Sequence, residues 1–223
     1  MISLRKYKTQ ILYGLTAVAI LTGGYLLGRL HSHEEGKDLL YEVEELKAKE
    51  ARKNQELAME ASKEVIIEVA KKYKELTGRG FELFEEYKTE DADYIMVIIG
   101  SAAGTAKQAV DDLRAQGKKV GVIKLRVFRP FPATELAAAL KNCKAVAIMD
   151  RCESYNGNGG PLGSEIMAGL YRDRVFIEAV NYIYGLAGRD FTVNHVYDIF
   201  AELEDSVVNG TKIEQFKYIG LRE

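Results

Sequence analysis

From Tyr94 onward the chain alternates short apolar, β-branched runs with helix-forming stretches, and that alternation restricts the fold more than any other feature. "YIMVIIG" carries Ile95, Val97, Ile98 and Ile99 and stops at a glycine. A strand this apolar on both sides must be buried on both faces, which a sheet achieves when crossover helices cover it. "TAKQAVDDLRAQG" predicts a helix capped by Thr105 and closed by Gly117, and "KKVGVIKLRVF" a second strand followed by the helix "ATELAAALKN". "AVAIMD" reads as a third strand and "SEIMAGLYRDR" as a third helix with Ser164 as its cap. "VFIEAVNYIYGLAGRD" holds a fourth strand and a turn; "TVNHVYDIFAELEDSVV", from Thr192 to the stop at Asn209-Gly210, is the last helix. The expectation is an α/β domain over residues 81–223: a doubly wound, mostly parallel sheet with helices on both faces.

Two different segments precede it. Residues 31–80 have no proline, and no glycine interrupts them between Gly36 and Gly78. They predict a solvated helical spacer over 37–53 and a packed helix over 54–76. Leu57, Ala61, Val65 and Val69, with Ala58, Ile66 and Ala70 beside them, would form its packed apolar face, and Gly78 and Gly80 its stop. Residues 1–30 carry a charge of +4 with no acid, so the remainder of a chain of net charge −2 carries −6. Within them, residues 11–28 have only two threonines and two tyrosines as polar side chains. As a helix that stretch would be about 27 Å long, close to the hydrocarbon thickness of a bilayer. It reads as a candidate membrane anchor, with a buried helix as the alternative, its four glycines permitting close packing. Three cations before it point to an outward-facing domain, a bias that Arg29 and Lys37 weaken.

Parallel strands deliver their carboxyl ends to one edge, where ligands and partners gather. Strand one ends in Gly100 and Ser101, strand two in "RPFP" with Arg129 and Phe131, strand three in Asp150 and Arg151, and the fourth unit in Arg189 and Asp190. "GSAAGT" is either an anion site at a helix start or a tight strand-to-helix turn. "DRCESYNGNGGPLG", with Asn156 and Gly159, is either a backbone nest for phosphate or a connection that docks on another subunit. Asp150 with Arg151, and Arg189 with Asp190, are candidate ion pairs. Two prolines around Phe131 would hold the loop extended and present Arg129 to a neighbouring carboxylate. Cys143 and Cys152 match no metal-cluster spacing, and Cys152 lacks the surroundings of a nucleophile. No basic stretch interleaved with aromatics suggests nucleic acid.

"VGVIKLRVFRPFP", "AVAIMDRCESYNGNGGPL" and "VNYIYGLAGRDFT", in this order, resemble the second domain of the α subunit of pyruvate:ferredoxin oxidoreductase and related 2-oxoacid oxidoreductases, a domain of transketolase C-terminal-like architecture. The resemblance covers about residues 54–223. It departs at Ala187, where the family usually has glycine, and the upstream thiamine-facing domain has no counterpart here. It implies a structural, assembling role in CoA-dependent oxidative decarboxylation of a 2-oxoacid, in the cytoplasm, a location that outweighs the short charge count around residues 11–28. The implied partners are a thiamine-binding β subunit and a ferredoxin-like subunit, or a second copy of the chain. The implied cofactors, thiamine diphosphate, magnesium, iron–sulfur clusters and CoA, would not be bound by this chain alone. The alternative is a membrane-tethered, non-enzymatic binding module that retains the fold.

Overall fold

The computed structural model describes residues 33–155 and 157–221. Helix α1 (His33–Thr77) is followed by β1 (Phe84–Tyr87), β2 (Tyr94–Ile99), α2 (Ala102–Ala115), β3 (Val120–Leu125) and α3 (Ala133–Leu140). Then come β4 (Ala145–Asp150), α4 (Pro161–Arg172), β5 (Glu178–Ile183), α5 (Val193–Asn209) and β6 (Phe216–Tyr218). The six strands form one sheet in the order β1-β3-β2-β4-β5-β6, parallel throughout except for the β1–β3 pair.

Side chains that alternate along the central strands build two cores. Met96, Ile98, Val122, Ala147, Met149 and Tyr182 face Val110 of α2 and Val196, Ile199, Phe200 and Leu203 of α5. Ile95, Val97, Ile123, Leu125 and Ile148 face Leu136 and Leu140 of α3 and Leu162, Ile166 and Leu170 of α4. Each fully buried aliphatic side chain contributes about 1.5–3 kcal/mol, so the sheet is held from both sides.

Several local expectations change. Two strands lie outside the apolar alternation: "FEEY" forms edge strand β1, and "FKY" forms the opposite edge, β6. Helix α2 starts at Ala102 with Ser101 as N-cap, so Thr105 lies inside it. Helix α4 starts at Pro161 with Gly160 as N-cap, and the Ser164 hydroxyl instead donates back to the Gly160 carbonyl. Thr192 does cap α5, and Gly210 ends it at φ +72°.

Residues 58–223 form one compact unit, and the lead-in part of α1 packs on it with only one edge of the apolar face its periodicity predicts. Ala61, Val65 and Val69 are exposed; Ser62, Lys63, Ile66 and Ala70 are the partly buried positions. Ile66 and Ala70 line a cleft with Leu83 and Phe84, and Lys63 Nζ lies 2.5 Å from Glu135 on α3. An ion pair and two modest apolar residues seat the helix, leaving its most apolar side in solvent. Among the described residues no helix is long and apolar enough to cross a membrane, and residues 11–28 lie outside them.

Candidate functional site

The register aligns Ile99 with Leu125, Ile98 with Met149 and Asp150 with Ile183. The corners that begin at Gly100, Arg126, Arg151 and Tyr184 therefore share the carboxyl edge of the sheet. Gly100 turns at φ +81° into Ser101, whose hydroxyl makes no capping bond.

Asp150 and Asn181 form the centre of this edge. Asp150 is 5% exposed and Asn181 fully buried. Asp150 accepts from the Leu162 N–H at 3.1 Å and the Gly163 N–H at 2.8 Å, the first free donors of α4 after Pro161, which has none. Asn181 Nδ2 donates to Asp150 Oδ2 at 3.0 Å and to the Ile148 carbonyl at 2.9 Å, while its Oδ1 accepts from Gly160 N–H at 2.7 Å. Burial pushes the Asp150 carboxyl above its ordinary range, and the donors from Gly163, Leu162 and Asn181 pull it back. The chain's own carboxylate thus occupies the position at the α4 N-terminus where an external anion would sit. The nest reading thereby loses the α4 N-terminus, and Asp150 bonds these donors in place of the expected Arg151. The glycines have a packing reason instead: a Cβ on Gly160 would lie 2.2 Å from Asp150 Cγ, and one on Gly159 2.3 Å from Asn181 Oδ1.

Arg129 also finds its carboxylate within the chain. Its guanidinium donates to Glu165 Oε1 on α4 at 2.6 Å and to the Phe128 carbonyl at 2.9 Å, stacked 4.2 Å above the Phe128 ring. Phe131 meets Phe128 edge-on at 5.8 Å and packs on the α3/α4 core. The aromatics and prolines therefore set an intramolecular clamp between this loop and α4, half exposed on the Arg129 side. Arg189 donates to the Gly220 carbonyl at 2.7 Å in place of the expected bond to Asp190. Arg151 is exposed and lies against the Gly185 corner, where a Cβ would stand 3.0 Å from its Nε. The Tyr218 hydroxyl donates to Glu153 at 2.5 Å, tying β6 to the glycine-rich loop. Asn156 lies outside the described residues.

Catalytic and metal chemistry find little purchase in these groups. His195 Nδ1 accepts from Thr192 N–H at 3.2 Å, a capping role at the start of α5. Burial pushes the Cys143 thiol up to about 12, and the thiol of Cys152, a residue exposed overall, is raised by partial desolvation and by the Asp150 charge. A thiol held above its usual range is a poor nucleophile and a poor ligand. The residues do not fit an iron–sulfur cluster, which takes four thiolates. No group of three metal-ligating side chains occurs among the described residues.

Residues 92–196 match the family model described as pyruvate:ferredoxin oxidoreductase core domain II. The α/β unit belongs to that family. Over 174 residues the chain is 41% identical to pyruvate synthase subunit PorA of Methanothermobacter thermautotrophicus, covering 78% of this chain and 43% of that protein. It is equally 41% identical over 160 residues to the NADH-dependent phenylglyoxylate dehydrogenase subunit alpha of Aromatoleum evansii, covering 71% of this chain and 38% of that protein. The chain therefore spans less than half the length of these relatives. A solved 2-oxoglutarate:ferredoxin oxidoreductase from Magnetococcus marinus aligns at TM-score 0.44 and 22% identity, covering 55% of this chain and 20% of its own. That likeness is too distant to carry weight.

Within this core domain II, Ala187 stands at φ +54°, ψ +32°, between Gly185 at +66° and Gly188 at +76°. The left-handed conformation costs an alanine about 1–2 kcal/mol and a glycine nothing comparable. Ala187→Gly is therefore expected to stabilise the protein by about 1 kcal/mol. Denaturant unfolding would register it as a higher midpoint at constant slope.

Proposed function

We propose that this chain is an assembly module of a 2-oxoacid:ferredoxin oxidoreductase, supplying core domain II to the complex and performing no chemistry alone. The carrying observation is the match of residues 92–196 to that domain, in a chain 41% identical to an α-type oxidoreductase subunit. The carboxyl edge agrees with a structural role, because Arg129, Asp150 and Arg189 are engaged in bonds that brace the domain. The complex would carry out CoA-dependent oxidative decarboxylation of a 2-oxoacid in the cytoplasm. Thiamine diphosphate and magnesium would be held with a thiamine-binding β subunit, and iron–sulfur clusters by a ferredoxin-like subunit. Equal identity to relatives named for pyruvate and for phenylglyoxylate argues that the 2-oxoacid is chosen outside this domain.

Co-expression with those two subunits should give a complex that co-purifies. Oxoacid-dependent reduction of ferredoxin, given thiamine diphosphate and CoA, should depend on the chain. A folded chain that never enters such a complex would instead favour the non-enzymatic module.

The exposed edge residues serve as the docking surface in this reading. Arg129→Ala removes a half-exposed ion pair worth at most about 1 kcal/mol, so the unfolding midpoint should barely move. The same substitution should weaken association with the partner subunits about tenfold or more, measured by titration of the purified components. Unchanged affinity would exclude Arg129 from the interface.

A further inference from the structure

The part of α1 that belongs to the compact unit, from residue 58 to residue 77, has one side that the rest of the unit does not cover. At 3.6 residues per turn, Ala58, Ala61, Val65, Val69 and Leu76 fall within about 80° of one another. All five are exposed, Val65 and Val69 to 57% and Leu76 to 86%. The positions that seat the helix, Lys63, Ile66 and Ala70, lie about 120° further round it. Isolated exposed apolar residues are ordinary; a file of them about 28 Å long on one helix side has the form of a docking face.

This face complements itself when turned end for end. With Val65 opposite Val69 of a second copy, Ala58 meets Leu76 and Ala61 meets the exposed Tyr73, so a small side chain faces a large one at each end. Glu64 of each copy then comes beside Lys71 and Lys72 of the other, which sets opposite charges on facing flanks. The two copies of Glu68 approach near the axis, each neutralised by Lys72 of its own helix at 2.6 Å. Copies aligned in the same direction would instead set Ala58 against Ala58 and Leu76 against Leu76, a gap at one end and crowding at the other. We propose that two copies of this chain pair antiparallel through the Ala58, Ala61, Val65, Val69 and Leu76 face of α1, as a two-fold dimer. A face this small belongs to the weak, reversible class of interfaces. It shares no residue with the carboxyl edge, so pairing of copies is independent of docking there.

Cysteine pairing between full-length copies that carry different tags tests this, with the exposed Cys152 replaced by serine and Cys143 buried. Mild oxidation should join Val65→Cys in one copy to Val69→Cys in the other, because a disulfide needs a Cα separation of about 4.4–6.8 Å, which facing residues of closely packed helices reach. Copies that both carry Val65→Cys, or both Val69→Cys, should give at least about tenfold less product, since their thiols would stand about 6 Å apart along the axis. Both positions are exposed, so the fold should be untouched. Glu64→Lys should lower the yield of the mixed product about tenfold at limiting concentration, and adding Lys72→Glu should restore it, which general damage to α1 would not allow. Equal product from like and mixed pairs would overturn the proposal, as would a yield indifferent to Glu64→Lys. No product from any pair would overturn it in favour of lipid or another protein as the occupant.

Discussion

Asp150→Ala is expected to cost about 3 kcal/mol of stability, by loss of a buried, hydrogen-bonded carboxylate, and to lower the melting temperature by about 6–12 °C. The loss concentrates at one helix end. Pro161 has no N–H, so Leu162 and Gly163 supply the first donors of α4, and both end on Asp150. Alanine leaves those two donors, and one of the Asn181 amide hydrogens, facing a space too buried for bulk water. Asp150→Asn preserves the volume but aims an amide N–H at a donor, so about half the loss should remain. Denaturant unfolding of the three proteins decides it: a loss under about 1 kcal/mol for alanine would mean that water replaces the carboxylate freely.

The pH dependence gives a second view of the same bond set. Because the folded Asp150 carboxyl stands above its ordinary value, proton uptake favours the folded state. Its contribution is fullest below the ordinary carboxylate range and declines as pH rises through the raised value. Glu85 and Asp111 run the opposite way. Lys107, with Arg126, holds Glu85 low, and Lys88, with Tyr87, holds Asp111 low. Their stabilisation is present above the ordinary value and fades as pH falls through the lowered one. Asp150→Ala should therefore keep the loss of stability in acid while shedding the decline that accompanies ionisation of Asp150.

The parts of the fold that could be read from sequence are those where burial and pattern coincide. β2, β3, β4 and β5 are apolar on both faces because helices cover both, and their runs stand out from the polar helices between them. β1 and β6 are edge strands, and Glu85, Glu86 and Lys217 in them erase the apolar signature while guarding the open edges. On α1 the Ile66 and Ala70 edge of the apolar face packs as its pattern indicates, while Lys63 reaches Glu135 beside it and leaves Ala61, Val65 and Val69 outside. The candidate site divides in the same manner. Arg129, Asp150, Arg151 and Arg189 follow strand ends, so topology alone brings them to one edge. Their partners, Glu165 and the Gly220 carbonyl, are distant in sequence. Asn181 is the residue that sequence reasoning missed. The available signal was one amide side chain inside "AVNYI", the inner part of a strand whose only charge is Glu178 at its exposed start, where a buried polar group persists only with bonded partners.

Gly163→Ala is expected to destabilise the protein by about 3 kcal/mol, although alanine is the better helix former by about 1 kcal/mol. Geometry decides the sign. A Cβ at Gly163 would lie 2.6 Å from Asn181 Cγ and 2.8 Å from both its terminal atoms. Asn181 cannot retreat, since its amide is tied to Ile148, Asp150 and Gly160 at once. Accommodating one methyl group therefore means breaking buried hydrogen bonds or pushing α4 off the sheet. Gly104, in the first turn of α2, is the internal control: a Cβ there meets nothing within 4 Å. Gly104→Ala should stabilise by about 1 kcal/mol, the propensity difference alone. The two substitutions are chemically identical, sit at equivalent helix positions and should move the unfolding midpoint in opposite directions. In an Asn181→Ala background the clash disappears, so Gly163→Ala should become neutral or stabilising, a coupling of about 3 kcal/mol in the double-mutant cycle. An undiminished penalty in that background would show that Asn181 is not what reserves this position for glycine.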